Sequence, residues 1–186
     1  MTARPVTPTA QRALALALFH EAVRVAHPRA CVPPHLPAVP GSASGRGKLI
    51  VLGAGKANAA MAQAVEAHYA GLGQLDRIEG FVTTRHGFGL PTQKIEIAEA
   101  GHPVPDAPSA MAAQRALELA TRAGPEDVVL VLMSGGASAL WSAPVEGVTA
   151  ADKQALTNLL SGGNAKAELA KATEAFKPVL EKSEQG

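Results

Sequence analysis

The chain reads Asp127-Val-Val-Leu-Val-Leu-Met133 and then Ser134-Gly-Gly-Ala-Ser-Ala-Leu140 in the stretch that decides its fold. The first part is a run of apolar residues, which is typical of a strand buried on both faces of a parallel sheet. The glycines of the second part let backbone amides approach a ligand. A helix beginning at Ala137 would point the positive end of its dipole at the same turn. The stretch therefore predicts an anion site at the carboxyl edge of a sheet, or else an ordinary tight strand-to-helix connection.

A second turn of the same kind follows an earlier strand. Lys48-Leu-Ile-Val-Leu52 reads as a buried strand, Gly53-Ala-Gly55 as the turn after it, and Lys56 as the start of the next helix. A lysine there adds positive charge to a helix end that is already positive, which is favourable when an anion is bound. We therefore predict that Lys56 faces an anion, the alternative being a solvated lysine.

The composition limits the classes of protein to which the chain can belong. Its 186 residues suit one domain with a core, and its low aromatic content of 3% predicts an aliphatic, alanine-rich core. A net charge of +1 argues against binding to nucleic acid or to a membrane surface. The single cysteine, Cys31, excludes an intrachain disulfide. Without an apolar run of about 18 residues or an export signal, we expect a cytoplasmic protein.

Apolar periodicity and turn residues predict the order of the elements. We expect a helix from Pro8 to His27 with Thr7 as its cap, a loop to Gly47, the strand at Lys48, a helix ending at Gly71, strands at Ile78–Thr84 and Lys94–Ala98, a helix capped by Asp106, and the strand at Asp127. This alternation predicts a three-layer, Rossmann-like α/β domain. Its sheet would be parallel or mixed, with helices on both faces.

Three other kinds of site fit the sequence less well. Gly53-x-Gly55 with Ala59 is one glycine short of a dinucleotide fingerprint, and no acidic residue ends a strand about 20 positions later. A Walker A loop is excluded, since Leu49 and Ala57 replace the hydroxyl residue after each Gly-Lys pair. A serine hydrolase is disfavoured because Ser138 lies in a broken nucleophile elbow and no histidine follows His102.

Three motifs carry a resemblance to a known family. They are Val51-Leu-Gly-Ala-Gly-Lys-Ala57, Glu99-Ala-Gly-His-Pro-Val-Pro-Asp106 and Leu132-Met-Ser-Gly-Gly-Ala-Ser-Ala-Leu140. In this order they make residues 8 to 160 resemble the amino-terminal domain of the class II glycerate 2-kinases, whose members are also called hydroxypyruvate reductases.

The resemblance implies ATP-dependent phosphorylation of D-glycerate to 2-phosphoglycerate, with Mg2+, in a cleft between two α/β domains. It implies that Lys56 neutralises phosphate or substrate charge, as the catalytic lysine. Phosphate and substrate would be bound by the small residues of the two turns, namely Gly53, Gly55, Ser134, Gly135, Gly136 and Ser138. His102 and Asp106 match a family motif without an assigned step, and Asp106 fits a helix cap or a magnesium ligand. The metal ligands are not identified.

The end of the chain departs from the family. We expect residues 1–160 to form the α/β domain and residues 161–186 an atypical helical tail, with the second domain of the family absent. Three functional hypotheses follow: a glycerate 2-kinase whose activity in so short a chain is doubtful, a non-catalytic fragment that covers its apolar surface with the tail or self-associates as a homo-oligomer, and an NAD(P)-dependent hydroxypyruvate reductase. A nucleotide and a small hydroxy acid are the partners expected from the first.

Overall fold

The computed structural model describes residues 8–40 and 47–144. The helices in this part are α1 (Pro8–Ala26), α2 (Pro28–Cys31), α3 (Asn58–Gly71), α4 (Ala107–Thr121) and α5 (Ala137–Leu140). The strands are β1 (Leu49–Ala54), β2 (Ile78–Arg85), β3 (Ile95–Ala100) and β4 (Val128–Met133). The cap predicted at Thr7 and the tail predicted for residues 161–186 lie outside the described residues.

The four strands form one sheet in the order β3-β2-β1-β4, and every neighbouring pair is parallel. The central strand β1 pairs Leu49 with Ile78 of β2 on one side and with Val128 of β4 on the other. The α/β fold predicted from the sequence is therefore confirmed, and the sheet is parallel rather than mixed.

Helices cover both faces of this sheet, because successive strand residues point to opposite faces. On one face Leu49 and Val51 of β1 pack with Val65 and Tyr69 of α3. On the other face Ile50 and Leu52 pack in a second cluster with residues of α4, including Leu119. The two helices thus enclose β1, which is buried along its whole length, and the first exposed residue after it is Lys56.

The connection from β2 to β3 crosses the sheet without a helix. Glu66 of α3 fixes it, since its carboxylate accepts the backbone N–H groups of Gln93, Lys94 and Ile95 at 2.6–2.9 Å. Only 4% of Glu66 is exposed, so these bonds replace the water that the buried charge has lost. Glu66 therefore anchors the end of this connection and the start of β3 to α3.

Two expectations from the sequence were wrong in part. β4 is an edge strand with Val131 53% and Met133 57% exposed, instead of being buried on both faces. The predicted loop after His27 contains the short helix α2 and a 3-10 turn. Within the described ranges, none of the helices is long and apolar enough to cross a membrane.

Candidate anion-binding site

The candidate site lies where the strand order reverses. β2 and β3 follow β1 on one side of it, whereas β4 is added on the other side. Ala54 and Met133, the last residues of β1 and β4, are paired neighbours, so their loops leave the sheet side by side. Ligands of open α/β sheets bind in the crevice at such a point, beyond the carboxyl ends of the strands.

Hydrogen bonds join the two turns that follow these strands. The N–H of Lys56 donates to the carbonyl oxygen of Gly135 over 3.0 Å, and the N–H of Ala57 donates to Oγ of Ser134 over 3.0 Å. The N–H of Ser134 in turn donates to the carbonyl oxygen of Ala54. The two glycine turns predicted separately from the sequence are therefore one structural unit.

Two glycines have backbones that this unit requires. Gly55 has φ +142° and Gly136 has φ +96°, both in a region that residues with a Cβ rarely adopt. A Cβ on Gly55 would overlap Ser134, so this glycine lets the turns approach. Gly53 has a different position, since it is buried inside β1 and a Cβ there would lie 2.7 Å from the carbonyl oxygen of Leu132.

The exposed side chain of Lys56 extends over the second turn. Its Cε lies 3.7 Å from where a Cβ of Gly135 would be, and its Cγ lies 3.5 Å from the same point on Gly136. The N–H groups of Gly135, Gly136 and Ala137 bond to no backbone acceptor within residues 8–40 and 47–144. The Lys56 side chain thus lies beside the exposed backbone of Gly135, and a lysine with backbone amides is a combination of groups that binds phosphate.

His102 reaches the same turn from the opposite edge of the sheet. It follows β3, yet a Cβ on Gly136 would lie 2.6 Å from Cδ2 and 2.7 Å from Nε2 of its ring. The loop from Gly101 to Asp106 therefore crosses the carboxyl edge and brings a half-buried imidazole beside Lys56. The sequence singled out His102 without a role, and the structure places it at the candidate site.

Asp106 is a helix cap whose two carboxylate oxygens both have partners. Oδ1 accepts the N–H of Gly101 at 2.9 Å and both the N–H and the hydroxyl of Ser109, while Oδ2 lies 2.7 Å from Nε2 of His86. Burial acts to raise the pKa of Asp106, but the hydrogen bonds from His86, Gly101 and Ser109 outweigh it and hold this pKa well below its usual range. The arrangement fits the cap and leaves little room for magnesium, and the described residues contain no group of three His, Cys, Asp or Glu that could hold a metal ion.

The helix predicted after the second turn is a single turn long. α5 spans Ala137–Leu140, so a helix does begin at Ala137 as expected, and with four residues it adds little dipole to the turn. Ser138 lies exposed on α5, one residue after Ala137.

The sequence analysis did not identify several residues whose hydrogen bonds support the two joined turns. Asn58 is fully buried, and its Nδ2 donates to the carbonyl oxygen of Leu132 over 3.3 Å. The N–H of Gly55 donates to the carbonyl oxygen of Thr83. The indole N–H of Trp141 donates to the hydroxyl of Thr83, with Nε1 and Oγ1 2.9 Å apart. Since Trp141 is the single tryptophan, its emission reports on this region.

Residues 14–169 match the model of a family described as a domain of unknown function, DUF4147. One relative is a protein of Agrobacterium vitis that has been named provisionally as a hydroxypyruvate reductase. It is 40% identical over 148 residues, which are 80% of this chain and 32% of that protein. The D-glycerate 2-kinase of Thermotoga maritima is 35% identical over 162 residues, 87% of this chain and 37% of the enzyme.

The solved structures agree with these relatives. The crystal structure of a glycerate kinase from Thermotoga maritima matches with a TM-score of 0.68 and 31% identity, over 86% of this chain and 37% of that one. A protein from Pyrococcus horikoshii matches with a TM-score of 0.65 and 33% identity, over 90% and 38% of the two chains. The chain spans about a third of the length of these relatives.

Proposed function

Because the chain belongs to the DUF4147 family, whose named relatives include glycerate 2-kinases, we propose that it binds the phosphate groups of a nucleotide and of phosphoglycerate at the two joined turns. The reaction served by this site is the transfer of a phosphoryl group from ATP to the 2-hydroxyl of D-glycerate. Turnover by this chain alone is weak or absent.

One observation carries the proposal: Lys56 extends along Gly135 and Gly136 at the carboxyl ends of β1 and β4, with His102 against the same turn. Phosphoryl transfer depends on positioning and on neutralising charge more than on covalent chemistry. A lysine side chain and backbone amides at the carboxyl ends of two parallel strands can supply both, because the cation neutralises charge and the backbone sets the position of the anion. Lys56 is the group we assign to charge neutralisation, with Ser134, Gly135, Gly136 and Ser138 as phosphate-binding positions.

ATP fits this site better than a directly bound metal ion does. Gly135 is exposed and has only Cε of Lys56 near its Cβ position, at 3.7 Å, which leaves room for a phosphate group. Magnesium prefers carboxylate oxygens, and both oxygens of Asp106 are already bonded. Mg2+ would therefore be bound by the nucleotide, and we assign it no ligand in this chain.

Weak turnover follows from the open surface on which the site lies. Lys56 is exposed, and an efficient kinase site must exclude water and hold both substrates. The chain covers only 26% to 37% of its glycerate 2-kinase relatives, so groups that complete their sites can lie in the remainder.

The test measures binding and turnover separately on the 186-residue chain. Binding of inorganic pyrophosphate is followed by Trp141 emission, and turnover by ADP release from ATP, Mg2+ and D-glycerate. Lys56→Ala should weaken binding about tenfold, as expected for a charge-assisted contact. Lys94→Ala is the matched control, because Lys94 is paired with Asp76 at the opposite edge of the sheet. Equal binding by wild type and K56A would refute the proposal.

A second candidate function is that of a non-catalytic domain that self-associates. It is favoured by the exposed apolar side chains of two elements, since β4 and α1 both present large aliphatic residues to solvent. This candidate predicts a sedimentation coefficient that rises with protein concentration and a Val131→Lys variant that stays monomeric. A monomer at all concentrations would rule it out.

The reductase alternative is testable by one titration. β2 ends in Thr84 and Arg85, where an NAD-binding domain carries an acidic residue for the ribose, so the site would have to take NADP(H) instead. Fluorescence titration with NADPH decides this: saturable binding that K56A leaves intact would favour a reductase over the kinase site.

A further inference from the structure

His86 has no role in the site described above, yet it is fixed at the same edge of the sheet. It directly follows β2, and its N–H donates to the carbonyl oxygen of Ala100 at the end of β3. Its Nε2 lies 2.7 Å from Oδ2 of Asp106. Because the carboxylate can only accept, Nε2 carries the proton and His86 is the donor in this contact.

Asp106 connects His86 to the loop that carries His102. Its Oδ1 accepts the N–H of Gly101, the residue immediately before His102, at 2.9 Å. This loop is closed tightly on itself, since a Cβ on Gly101 would lie 2.5 Å from the carbonyl oxygen of Val104 and 2.9 Å from Cγ of Asp106. A displacement of Asp106 would therefore move Gly101, and with it the imidazole that contacts Gly136.

We propose that His86 is a positioning residue, which holds Asp106 and thereby fixes His102 against Gly136 beside Lys56. The His86 side chain is 56% exposed, so it contributes little to the core. The loop that follows it is also fixed, because Glu99 accepts the N–H groups of Gly87 and Gly89. The consequence for anion binding rests on the function proposed above, whereas the placement of His102 does not.

The experiment compares His86→Ala, His86→Gln and Lys94→Ala with the wild-type chain. The ring signals of His102 in 1H–13C NMR spectra without ligand report its placement, and pyrophosphate titrations by Trp141 emission report the site. His86→Ala should shift the His102 signals and raise the Kd about three- to tenfold. His86→Gln offers an amide donor and should restore both. Lys94→Ala breaks the Lys94–Asp76 ion pair at the far edge of the sheet and should change neither.

The outcomes separate this proposal from the proposed function. Unchanged His102 signals in folded His86→Ala protein would overturn the positioning role, whatever the Kd. Shifted His102 signals in His86→Ala that His86→Gln restores would support it, even if wild-type protein failed to bind pyrophosphate, in which case only the proposed function would fall. Should His86→Ala not fold, Asp106→Asn keeps a helix cap but removes the charge that holds His86, and the same His102 signals decide.

Discussion

The backbone N–H of Lys56 donates to the carbonyl oxygen of Gly135 over 3.0 Å, which joins the turn after β1 to the turn after β4. These residues are 79 positions apart in the chain, since 135 minus 56 is 79. The bond fixes the backbone of Lys56 beside the second turn. The lysine side chain therefore lies along Gly135 and Gly136 in the structure as it stands. A substitution in either turn should therefore alter the structure of both.

Gly136→Ala should destabilise the protein more than Gly73→Ala, a substitution at another glycine with positive φ. Gly136 has φ +96° and its new Cβ would meet the His102 ring, whereas Gly73 has φ +67° with nothing within 4 Å. We expect about 1 kcal/mol for Gly73→Ala from the backbone and about 2–3 kcal/mol for Gly136→Ala. Urea unfolding measures both. Equal losses would show that His102 does not pack against the turn.

Ser134→Ala should lower stability by about 1 kcal/mol, because Ser134 caps the N–H of Ala57 from another loop. Thr121→Ala serves as the comparison, since its hydroxyl bonds to the carbonyl oxygen of Glu118 inside an exposed helix end and its loss should cost less than about 0.5 kcal/mol. Thermal unfolding at one pH checks the difference. A Ser134→Ala protein as stable as Thr121→Ala would contradict the joined turns.

Asp106 should make the fold sensitive to acid. Its pKa is lowered in the folded state relative to the ordinary value of 3.8, so its contribution is fully present above that value and is lost as the pH falls below it. Asp106→Asn retains a cap but has no such titration. Urea midpoints measured from pH 6 to pH 2.5 should fall more steeply for wild type than for the variant, and parallel curves would count against the role of this carboxylate.

Glu66→Gln should destabilise the crossover between β2 and β3. Oε1 of Glu66 accepts all three N–H groups, and Oε2 also accepts that of Gln93. The amide therefore keeps one acceptor but loses the charge and turns an NH2 donor toward the N–H of Gln93, so we expect a loss of about 2–3 kcal/mol. Glu79→Gln removes an exposed carboxylate paired with Lys48 and should cost less than about 1 kcal/mol. Faster hydrogen exchange at Ile95 in Glu66→Gln would locate the effect.

Local signals were sufficient to predict β1 and both glycine turns. Apolar runs before Gly53 and before Ser134 encode the two strands within a few neighbouring residues, but the end of the first was predicted too early, because β1 continues through Gly53 to Ala54. The same signal could not show that β4 lies at an edge, because an apolar run looks alike whether a strand has one neighbour or two. Burial depends on the number of neighbours, which the local pattern does not contain.

Contacts that depend on strand register could not be predicted from the sequence. His86 meets Asp106 because Arg85 and Ala100 are paired at the ends of β2 and β3, and this register follows from the parallel pairing as a whole. Glu66 was missed for the same reason, since a glutamate on a helix usually faces water. The position of His102 across the sheet edge likewise depends on the strand order, which a single sequence leaves open.

The strand that leads into Ser134 has a further consequence for anyone who prepares this protein. Val128–Met133 is uncharged, contains no proline and has its outer edge open in the described part of the chain, which together are the signature of a segment that nucleates cross-β aggregates. The turn proposed to bind an anion thus directly follows an aggregation-prone strand in the chain. A gatekeeper charge at the 53% exposed Val131 would protect the preparation while leaving every hydrogen bond of the turn in place.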